Sequence, residues 1–233
     1  MLYAPILSEM PKEEFALKVA DAFAVNQRLM AIVDGEGREV VEALGNGQVR
    51  WRVFDVAGGL VGSISGRLIA WREAVELAPP GLVLEFGVRY GTTIKAIAEA
   101  GRPVFGFDWW KGLPHDEEDC WWKASCVCDR PQDLPSNVVL IEGLFSDTLE
   151  GFLEVHSDPV AFVNLDCDLF TSSFYVLRCL MGRFVKGSVI AFSAITFSQA
   201  MRRAFDRYLK ESGQTWELIG KQHWAGEVYR CDG

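Results

Sequence analysis

The stretch from Leu82 to Asp108 constrains the fold of this chain more than any other. It reads LVLEFGVRYGTTIKAIAEAGRPVFGFD, an apolar run, a glycine-containing turn, a helix-forming run and a second apolar run that ends in aspartate. The short apolar runs 82–86 and 104–107 predict strands that are buried on both faces of a parallel sheet. Thr92 and Thr93 are candidate caps for the helix between them. Ligands of such open sheets bind across the carboxyl ends of the strands.

Glu85 indicates which ligand this turn suits. A dinucleotide fingerprint would read G-x-G-x-x-G, but here the spacing is E-x-G-x-x-x-G, formed by Glu85, Gly87 and Gly91. A carboxylate repels a pyrophosphate and attracts an ammonium or a sulfonium group. Asp108, at the end of the second strand, suits the two hydroxyls of a ribose. Together these residues predict binding of S-adenosylmethionine.

Length and charge limit the remaining possibilities. The 233 residues suit one α/β domain with an N-terminal extension. The net charge of −9 makes nucleic acid an unfavoured partner, because binding to phosphates requires a basic surface. No apolar run approaches the roughly 20 residues of a membrane helix, and the first 15 residues do not resemble a secretion signal. We therefore expect a cytoplasmic protein without a membrane segment.

The N-terminal region predicts mostly helix. Apolar residues recur near helical spacing over 11–33, and a short helix is plausible over 38–44, before a possible strand over 49–56. We expect residues 1–64 to form a helical cap or to contribute to a dimer interface. Ser65 is a candidate cap for a further helix over 68–77.

The rest of the chain alternates between strand and helix patterns. The predicted strands are 138–141, 160–165 and 188–192, the predicted helices are 149–156, 172–184 and 198–212, and the predicted closing antiparallel pair is 215–220 with 227–231. Such alternation predicts an α/β fold with a doubly wound, mostly parallel sheet and an antiparallel edge.

The loop over 109–136 is long and rich in tryptophan. Its tryptophans are Trp109, Trp110, Trp121 and Trp122. Long loops in compact domains often form lids or binding surfaces, so we interpret this loop as a substrate lid. Alternatively, these tryptophans pack together as a small satellite core.

The same loop holds a candidate zinc site. Its possible ligands are His115, Cys120, Cys126 and Cys128. The spacing matches no standard C-x-x-C pair, and Cys126-x-Cys128 is a poor tetrahedral chelate on its own. Free, reduced thiols are therefore the favoured interpretation of this cluster.

Several segments resemble one protein family. They are EFGVRYG at 85–91, GFDWWKGLP at 106–114, LPSNVVLIEGLFSDTL at 134–149, FVNLDCDLFTSSFYVL at 162–177 and KGSVIAFSAI at 186–195. In order and spacing they are similar to the macrocin O-methyltransferase-like family of class I S-adenosylmethionine-dependent methyltransferases. The resemblance covers roughly 65–231 and implies a seven-stranded Rossmann-like methyltransferase domain over 65–233. It also implies methylation of a hydroxyl of a small molecule, often a sugar of a natural product.

The resemblance assigns roles to individual positions. It implies a methionine-binding motif at Glu85, Gly87 and Gly91, which Thr92 adjoins, and a ribose-binding acid at Asp108. Trp109 follows where an adenine could stack. Phe145 and Ser146 fall in the loop that resembles the adenine-edge pocket, and Asp166 and Asp168 fall on the D-x-D of the family.

Catalysis requires a group that removes the proton of a hydroxyl acceptor. Asp166 and Asp168 follow a predicted strand beside the cofactor motif, and we expect Asp166 to contact the cofactor as well. Their alternative role is to cap the next helix. His115, in the long loop among acidic residues, is a third candidate base, although such a histidine is often simply solvated. His223 is a weaker candidate.

One departure from the family concerns metal. Metal-dependent relatives carry an acidic pair after the fifth strand, whereas this chain has Phe192-Ser193-Ala194-Ile195. Asp166 and Asp168 alone would form a weak site for a hard divalent cation. We therefore predict a metal-independent methyltransferase. The alternatives are a protein that binds S-adenosylmethionine with lost or repurposed catalysis, and methyl transfer to nitrogen or carbon.

Overall fold

The computed structural model describes residues 29–33, 37–45, 48–55, 60–115, 126–193, 195, 198–222 and 226–233. The chain forms two compact units. One unit comprises Met1–Ala70 with Gly220–Trp224, and the other comprises Trp71–Ile219 with Ala225–Gly233. Within the described ranges, no helix is long and apolar enough to cross a membrane.

The first unit contains a four-stranded antiparallel sheet. Its strands, in spatial and chain order, are β1 (Leu29–Val33), β2 (Gly37–Gly45), β3 (Gln48–Asp55) and β4 (Leu60–Arg67). The strand predicted over 49–56 is thus present as β3. The helix predicted over 38–44 and the end of the helix predicted over 11–33 are wrong, because ladder pairing with neighbouring strands outweighs a helix-like apolar spacing. Residues 1–28 of the predicted N-terminal region lie outside the described residues.

The start of the next helix also differs from the sequence-based prediction. Ser65 lies in β4, opposite Arg50 of β3, so it does not cap a helix. Leu68 forms a parallel β-bridge with Lys221, and this pairing keeps the chain extended as far as Leu68. The helix therefore begins three residues later, at Trp71.

The second unit is built on a seven-stranded sheet with flanking helices. Its elements are α1 (Trp71–Glu76), β5 (Leu82–Phe86), α2 (Thr92–Ala98), β6 (Val104–Asp108), β7 (Val138–Glu142), α3 (Phe145–Val155), β8 (Val160–Leu165), α4 (Phe170–Leu180), β9 (Phe184–Phe192), α5 (Gln199–Ser212), β10 (Trp216–Gly220) and β11 (Glu227–Cys231). The strand order is β10-β11-β9-β8-β5-β6-β7. Strands β5 to β9 pair in parallel, and β11 pairs antiparallel with β9. The predicted Rossmann-like, mostly parallel sheet is confirmed.

Helix ends differ from their predicted positions by several residues. α3 begins at Phe145 rather than at 149, and α4 ends at Leu180 rather than at 184. Gly182, with φ of 82°, turns the chain out of α4 so that β9 can begin at Phe184. The N-cap of α2 is Gly91 in a left-handed conformation without a side-chain cap, so the prediction that Thr92 or Thr93 caps this helix is wrong.

The core lies around the two central strands. Every residue of β5 and β8 is buried, which is why both segments appear as continuous apolar runs in the sequence. Phe86 of β5 stacks on Phe107 of β6, with ring centroids 4.7 Å apart. This packing holds the carboxyl ends of the two strands side by side.

Gly87 lets the chain turn sharply where β5 ends beside β8. Its φ is 90°, and a Cβ at this position would lie 2.1 Å from the carbonyl oxygen of Asp166. The amide of Asp166 donates in turn to the carbonyl of Phe86 at 2.9 Å. The two backbones are therefore too close for any side chain at position 87.

We predict that Gly87→Ala lowers the free energy of unfolding by about 2–5 kcal/mol. The left-handed conformation accounts for roughly 1–2 kcal/mol of this loss, and the clash with a backbone carbonyl accounts for about 1–3 kcal/mol more. Gly101→Ala is the matched control, because Gly101 has φ of 73° but no described atom within 4 Å of the position that a Cβ would take. Urea unfolding of both variants measures the difference, and equal losses would show that the close approach at Gly87 is unimportant.

Candidate active site

Four neighbouring strands bring the predicted site residues to one edge of the sheet. Glu85 and Gly87 lie at the end of β5, Asp108 ends β6, Asp166 follows β8, and Ser193 follows β9. Strands β6, β5, β8 and β9 are adjacent and parallel. Their carboxyl ends therefore form one surface, which is where ligands bind in folds of this type.

Glu85 is completely buried within this edge. Its Oε1 accepts a hydrogen bond of 2.8 Å from Nδ2 of Asn164, its direct neighbour on β8. Oδ1 of Asn164 accepts in turn from the hydroxyl of Ser193 at 3.4 Å. Three polar side chains thus connect β5, β8 and β9. The sequence analysis missed Asn164, although a polar residue inside the apolar run V-A-F-V-N-L is itself a sign of a buried hydrogen-bond partner.

The carboxylate of Asp108 binds four backbone N–H groups. Oδ2 accepts from Val88 at 2.9 Å and from Arg89 at 2.7 Å. Oδ1 accepts from Trp109 at 2.6 Å and from Trp110 at 3.0 Å. Asp108 therefore joins the glycine loop after β5 to the turn after β6. Ribose binding by Asp108 stays a prediction.

The two tryptophans after Asp108 have different environments. Trp110 is 5% exposed, and its Nε1 donates to the carbonyl of Arg89 at 2.9 Å, so this ring is part of the core rather than of a lid surface. Trp109 is half-buried, with the ammonium of Lys111 4.7 Å from its ring. Its buried Nε1 has no hydrogen-bond acceptor among the described residues. Trp121 and Trp122 lie outside the described ranges.

Phe145 and Ser146 form the first turn of α3, next to the same edge. Phe145 packs edge-on against Phe86, with centroids 5.3 Å apart. Ser146 is exposed, and its hydroxyl donates to Asp147 at 3.0 Å. The amide of Gly143, just before α3, donates to the carbonyl of Asp108 at 3.0 Å. The loop after β7 is therefore anchored to the end of β6.

Both described ends of the long loop contact the segment that follows β8. Nε2 of His115 lies 2.8 Å from the hydroxyl of Thr171. The thiol of Cys126 donates to Oδ2 of Asp168 at 3.8 Å. Thr171 lies three residues after Asp168, the second acid of the D-x-D pattern. The structure thus brings His115 to the same segment as Asp166 and Asp168.

The D-x-D segment has an unusual backbone. Asp168 has φ of 57°, a left-handed conformation that is uncommon outside glycine and is found at functional sites. The N-cap residue of α4 is Leu169, so neither acid occupies the capping position that was their alternative role.

Two of the described cysteines, Cys128 and Cys167, are poor metal ligands or nucleophiles at neutral pH. Burial raises the pKa of the Cys128 thiol, and the negative charge of Asp108 raises it further. Burial raises the pKa of Cys167 to about 12. Both thiols are therefore protonated near pH 7. Among the described residues, no three His, Cys, Asp or Glu side chains are arranged to hold a metal ion, and Cys120 lies outside these residues.

Comparison with known proteins links part of the chain to one family. Residues 129–230 match the family model described as Macrocin-O-methyltransferase (TylF). This part of the chain is therefore similar to the macrocin O-methyltransferase family. The match supports an S-adenosylmethionine-dependent methyltransferase, as the resemblance implied. A search of curated proteins found no match.

Two solved structures have the same fold as this part of the chain. The O-methyltransferase NovP is 21% identical, with a TM-score of 0.57 over 70% of this chain and 78% of its own. The calicheamicin methyltransferase CalS11 is 20% identical, with a TM-score of 0.55 over 69% of this chain and 75% of its own. These similarities show a shared fold for the methyltransferase part of the chain.

We predict that Asn164→Asp makes stability fall as the pH rises. The substitution places two buried carboxyls against each other, so one keeps its proton and its pKa is raised above its unfolded value. The stability of the variant is then retained at low pH and is lost as the pH rises through that raised pKa. Urea unfolding from about pH 5 to about pH 8 measures the slope.

Asn164→Leu serves as the control for this prediction, because it removes the same hydrogen bond without adding an acid. We expect its stability to fall less steeply with pH than that of Asn164→Asp, because it removes one donor to Glu85 and adds no second carboxyl. If both variants show the same pH profile, the residue at position 164 is not in electrostatic contact with Glu85.

Proposed function

We propose that this methyltransferase transfers the methyl group of S-adenosylmethionine to a hydroxyl of a small molecule, such as a sugar or another natural product, without a metal ion. The observation that carries this proposal is the meeting of His115 with the segment after β8, beside the buried Glu85 and the glycine loop. The names of the similar proteins agree with it. The family model describes a macrocin O-methyltransferase, and CalS11 is described as a TDP-rhamnose 3'-O-methyltransferase.

The residues at the sheet edge fit this cofactor. When bound, it supplies a methyl group on a positively charged sulfur. Glu85 is a carboxylate suited to the cationic methionine end, and Gly87 and Gly91 keep the loop close to the ligand. The remaining proposed contacts are Thr92, Asp108, Trp109, Phe145, Ser146 and Asp166.

Methyl transfer is an in-line displacement, so the protein mainly aligns the acceptor oxygen and removes its proton. Asp166, Asp168 and His115 are the proposed groups for this work. They come from the segment after β8 and from the loop that contacts it through Thr171. Asp168 has a strained, left-handed backbone conformation of the kind found at functional sites.

The residue after β9 supports the proposed independence from metal. Ser193 stands where metal-dependent relatives have an acid, and its hydroxyl is used in a hydrogen bond to Asn164. A hard divalent cation prefers six or more oxygen ligands, several of them carboxylates. Of the acids that the family resemblance predicts for such a site, this chain supplies only Asp166 and Asp168.

A second candidate is a protein that binds S-adenosylmethionine with lost or repurposed catalysis. The neutral sequence Phe192-Ser193-Ala194-Ile195 is the observation that favours it. Methyl transfer to a nitrogen or carbon acceptor is a further alternative, because an amine needs no strong base. A homodimer, a cytoplasmic location and a capping role for residues 1–64 also remain proposals.

Calorimetric titration tests the cofactor assignment first. We expect the EDTA-treated protein to bind S-adenosylmethionine and S-adenosylhomocysteine with Kd values on the order of micromolar. We expect Mg²⁺ to leave both values unchanged. Failure of both ligands to bind, with and without Mg²⁺, would refute the proposal, whereas binding that requires Mg²⁺ would refute only its metal-free form.

Variants of the proposed base test the reaction. In a screen of hydroxyl-bearing sugars and natural products, we expect Asp166→Asn or His115→Gln to lower kcat by about 10²–10⁴ for an accepted substrate. The Kd for S-adenosylhomocysteine should change little for His115→Gln, which lies outside the proposed cofactor contacts. Asp158→Asn is the matched control, because this exposed acid precedes β8 at the opposite edge of the sheet. An unchanged kcat in both base variants would show that neither side chain removes the proton of the acceptor hydroxyl.

A further inference from the structure

We propose that Thr171 is a positioning residue for His115, and that Nδ1 of His115 is the nitrogen that takes the proton of the acceptor hydroxyl. This inference rests on the proposed function for the role of His115 as a base. It adds which atom of the ring receives the proton and which side chain holds the ring in place.

The contact between the two side chains assigns different tasks to the two ring nitrogens. Nε2 of His115 lies 2.8 Å from Oγ1 of Thr171, which is a normal hydrogen-bond distance. An imidazole has only two nitrogens, and each makes its own hydrogen bond. With Nε2 held by Thr171, Nδ1 is the nitrogen that we assign to the acceptor.

The reaction sets the direction of this hydrogen bond, because a threonine hydroxyl can both donate and accept. A neutral imidazole carries a proton on one nitrogen only. If Thr171 donated to Nε2, the ring proton would lie on Nδ1, and the ring could take a second proton only after the contact reversed. If Nε2 donates to Oγ1, Nδ1 keeps its lone pair, and the contact persists before and after proton transfer. The neutral ring of His115 is therefore the Nε2–H tautomer.

The proposed step balances with this tautomer. The acceptor oxygen forms a bond to the methyl carbon as the bond from that carbon to the positively charged sulfur breaks. The hydroxyl proton passes to Nδ1, so the neutral ring of His115 becomes a cation whose Nε2–H still donates to Thr171. Solvent then takes the proton from Nδ1. One nitrogen held by an orienting group and the other directed at the reacting proton is the general arrangement of a histidine base.

The first turn of α4 gives Thr171 a fixed position. Ser173, two residues further on, is completely buried. The ring of Phe170 stacks on Phe174, with centroids 5.8 Å apart, and its centre lies 5.7 Å from the guanidinium carbon of Arg203 in α5. Threonine is also β-branched, which restricts rotation about its χ1 angle. The hydroxyl of Thr171 is thus a well-placed partner for a histidine on a loop.

Thr171→Val tests this role, because valine keeps the β-branched shape and removes only the hydroxyl. With a hydroxyl-bearing sugar accepted in the screen, we expect kcat to fall at least about tenfold, part of the roughly 10²–10⁴-fold that a general base contributes. The KM for the acceptor and the Kd for S-adenosylhomocysteine should stay close to their wild-type values. Thr171→Ser keeps the hydroxyl and should retain most of kcat. Ser172→Ala, which removes the next hydroxyl of the same turn, is the matched control.

Coupling to His115 separates positioning from a purely structural role. If Thr171 acts through His115, Thr171→Val should not lower kcat further once His115→Gln has removed the base. A structural role would give the same fold loss of kcat in both backgrounds, and that result would overturn the proposal.

Nuclear magnetic resonance of ¹⁵N-labelled histidine reports the tautomer directly and needs no acceptor. At a pH at which the ring of His115 is neutral, we expect a protonated Nε2 and an unprotonated Nδ1. Thr171→Val should shift the Nε2 signal, because the hydrogen bond is lost, and His115→Gln identifies this ring among the three histidines. A protonated Nδ1, or an Nε2 signal that Thr171→Val leaves in place, would contradict the assignment.

The outcomes distinguish this inference from the proposed function. If the protein binds neither S-adenosylmethionine nor S-adenosylhomocysteine, the proposed function fails, and the resonance measurement still decides whether Thr171 holds Nε2. If His115→Gln leaves kcat unchanged, the proposed base is wrong, and this inference is wrong with it. If His115→Gln lowers kcat and Thr171→Val does not, only the positioning role of Thr171 is refuted.

Discussion

The pairing of β5 between β6 and β8 is the constraint on which the candidate active site depends. Every residue of β5 is buried, so a shift of register would place the wrong side chains in the core on both sides. In the observed register, Glu85 lies between Gly106 and Asn164. A Cβ at Gly106 would lie 2.4 Å from Cδ1 of Ile94, so this glycine lets α2 pack directly onto the sheet. The loop that leads into α2 is thereby held at the site.

The sequence predicts the central sheet well and the periphery less well, for a physical reason. β5 and β8 are fully buried, and their apolar runs match the observed strands residue for residue. Helix ends depend on local turns such as Gly182, which periodicity does not reveal. In the N-terminal region, the apolar spacing over 29–33 and 38–44 suits a helix, but pairing between distant residues makes both segments strands.

In the candidate site, too, the sequence predicts some features and not others. The spacing of Glu85, Asp108 and Asp166 along the chain correctly predicts that all three lie at the carboxyl ends of strands. What the carboxylates contact is set by neighbours across the sheet and between loops. The bond from Asn164 to Glu85 joins residues 79 positions apart, and Asp108 reaches back about 20 positions to the glycine loop. Linear motifs carry no record of such partners.

The electrostatics of the edge also bear on the proposed cofactor. The four donors to Asp108 are neutral amides, and the side chain that donates to Oε1 of Glu85 at 2.8 Å is a neutral carboxamide. Neutral dipoles stabilise a carboxylate without cancelling its charge, whereas a lysine or arginine partner would cancel it. Under the proposed function, a carboxylate at this edge of the sheet attracts the cationic sulfonium and ammonium groups of the cofactor.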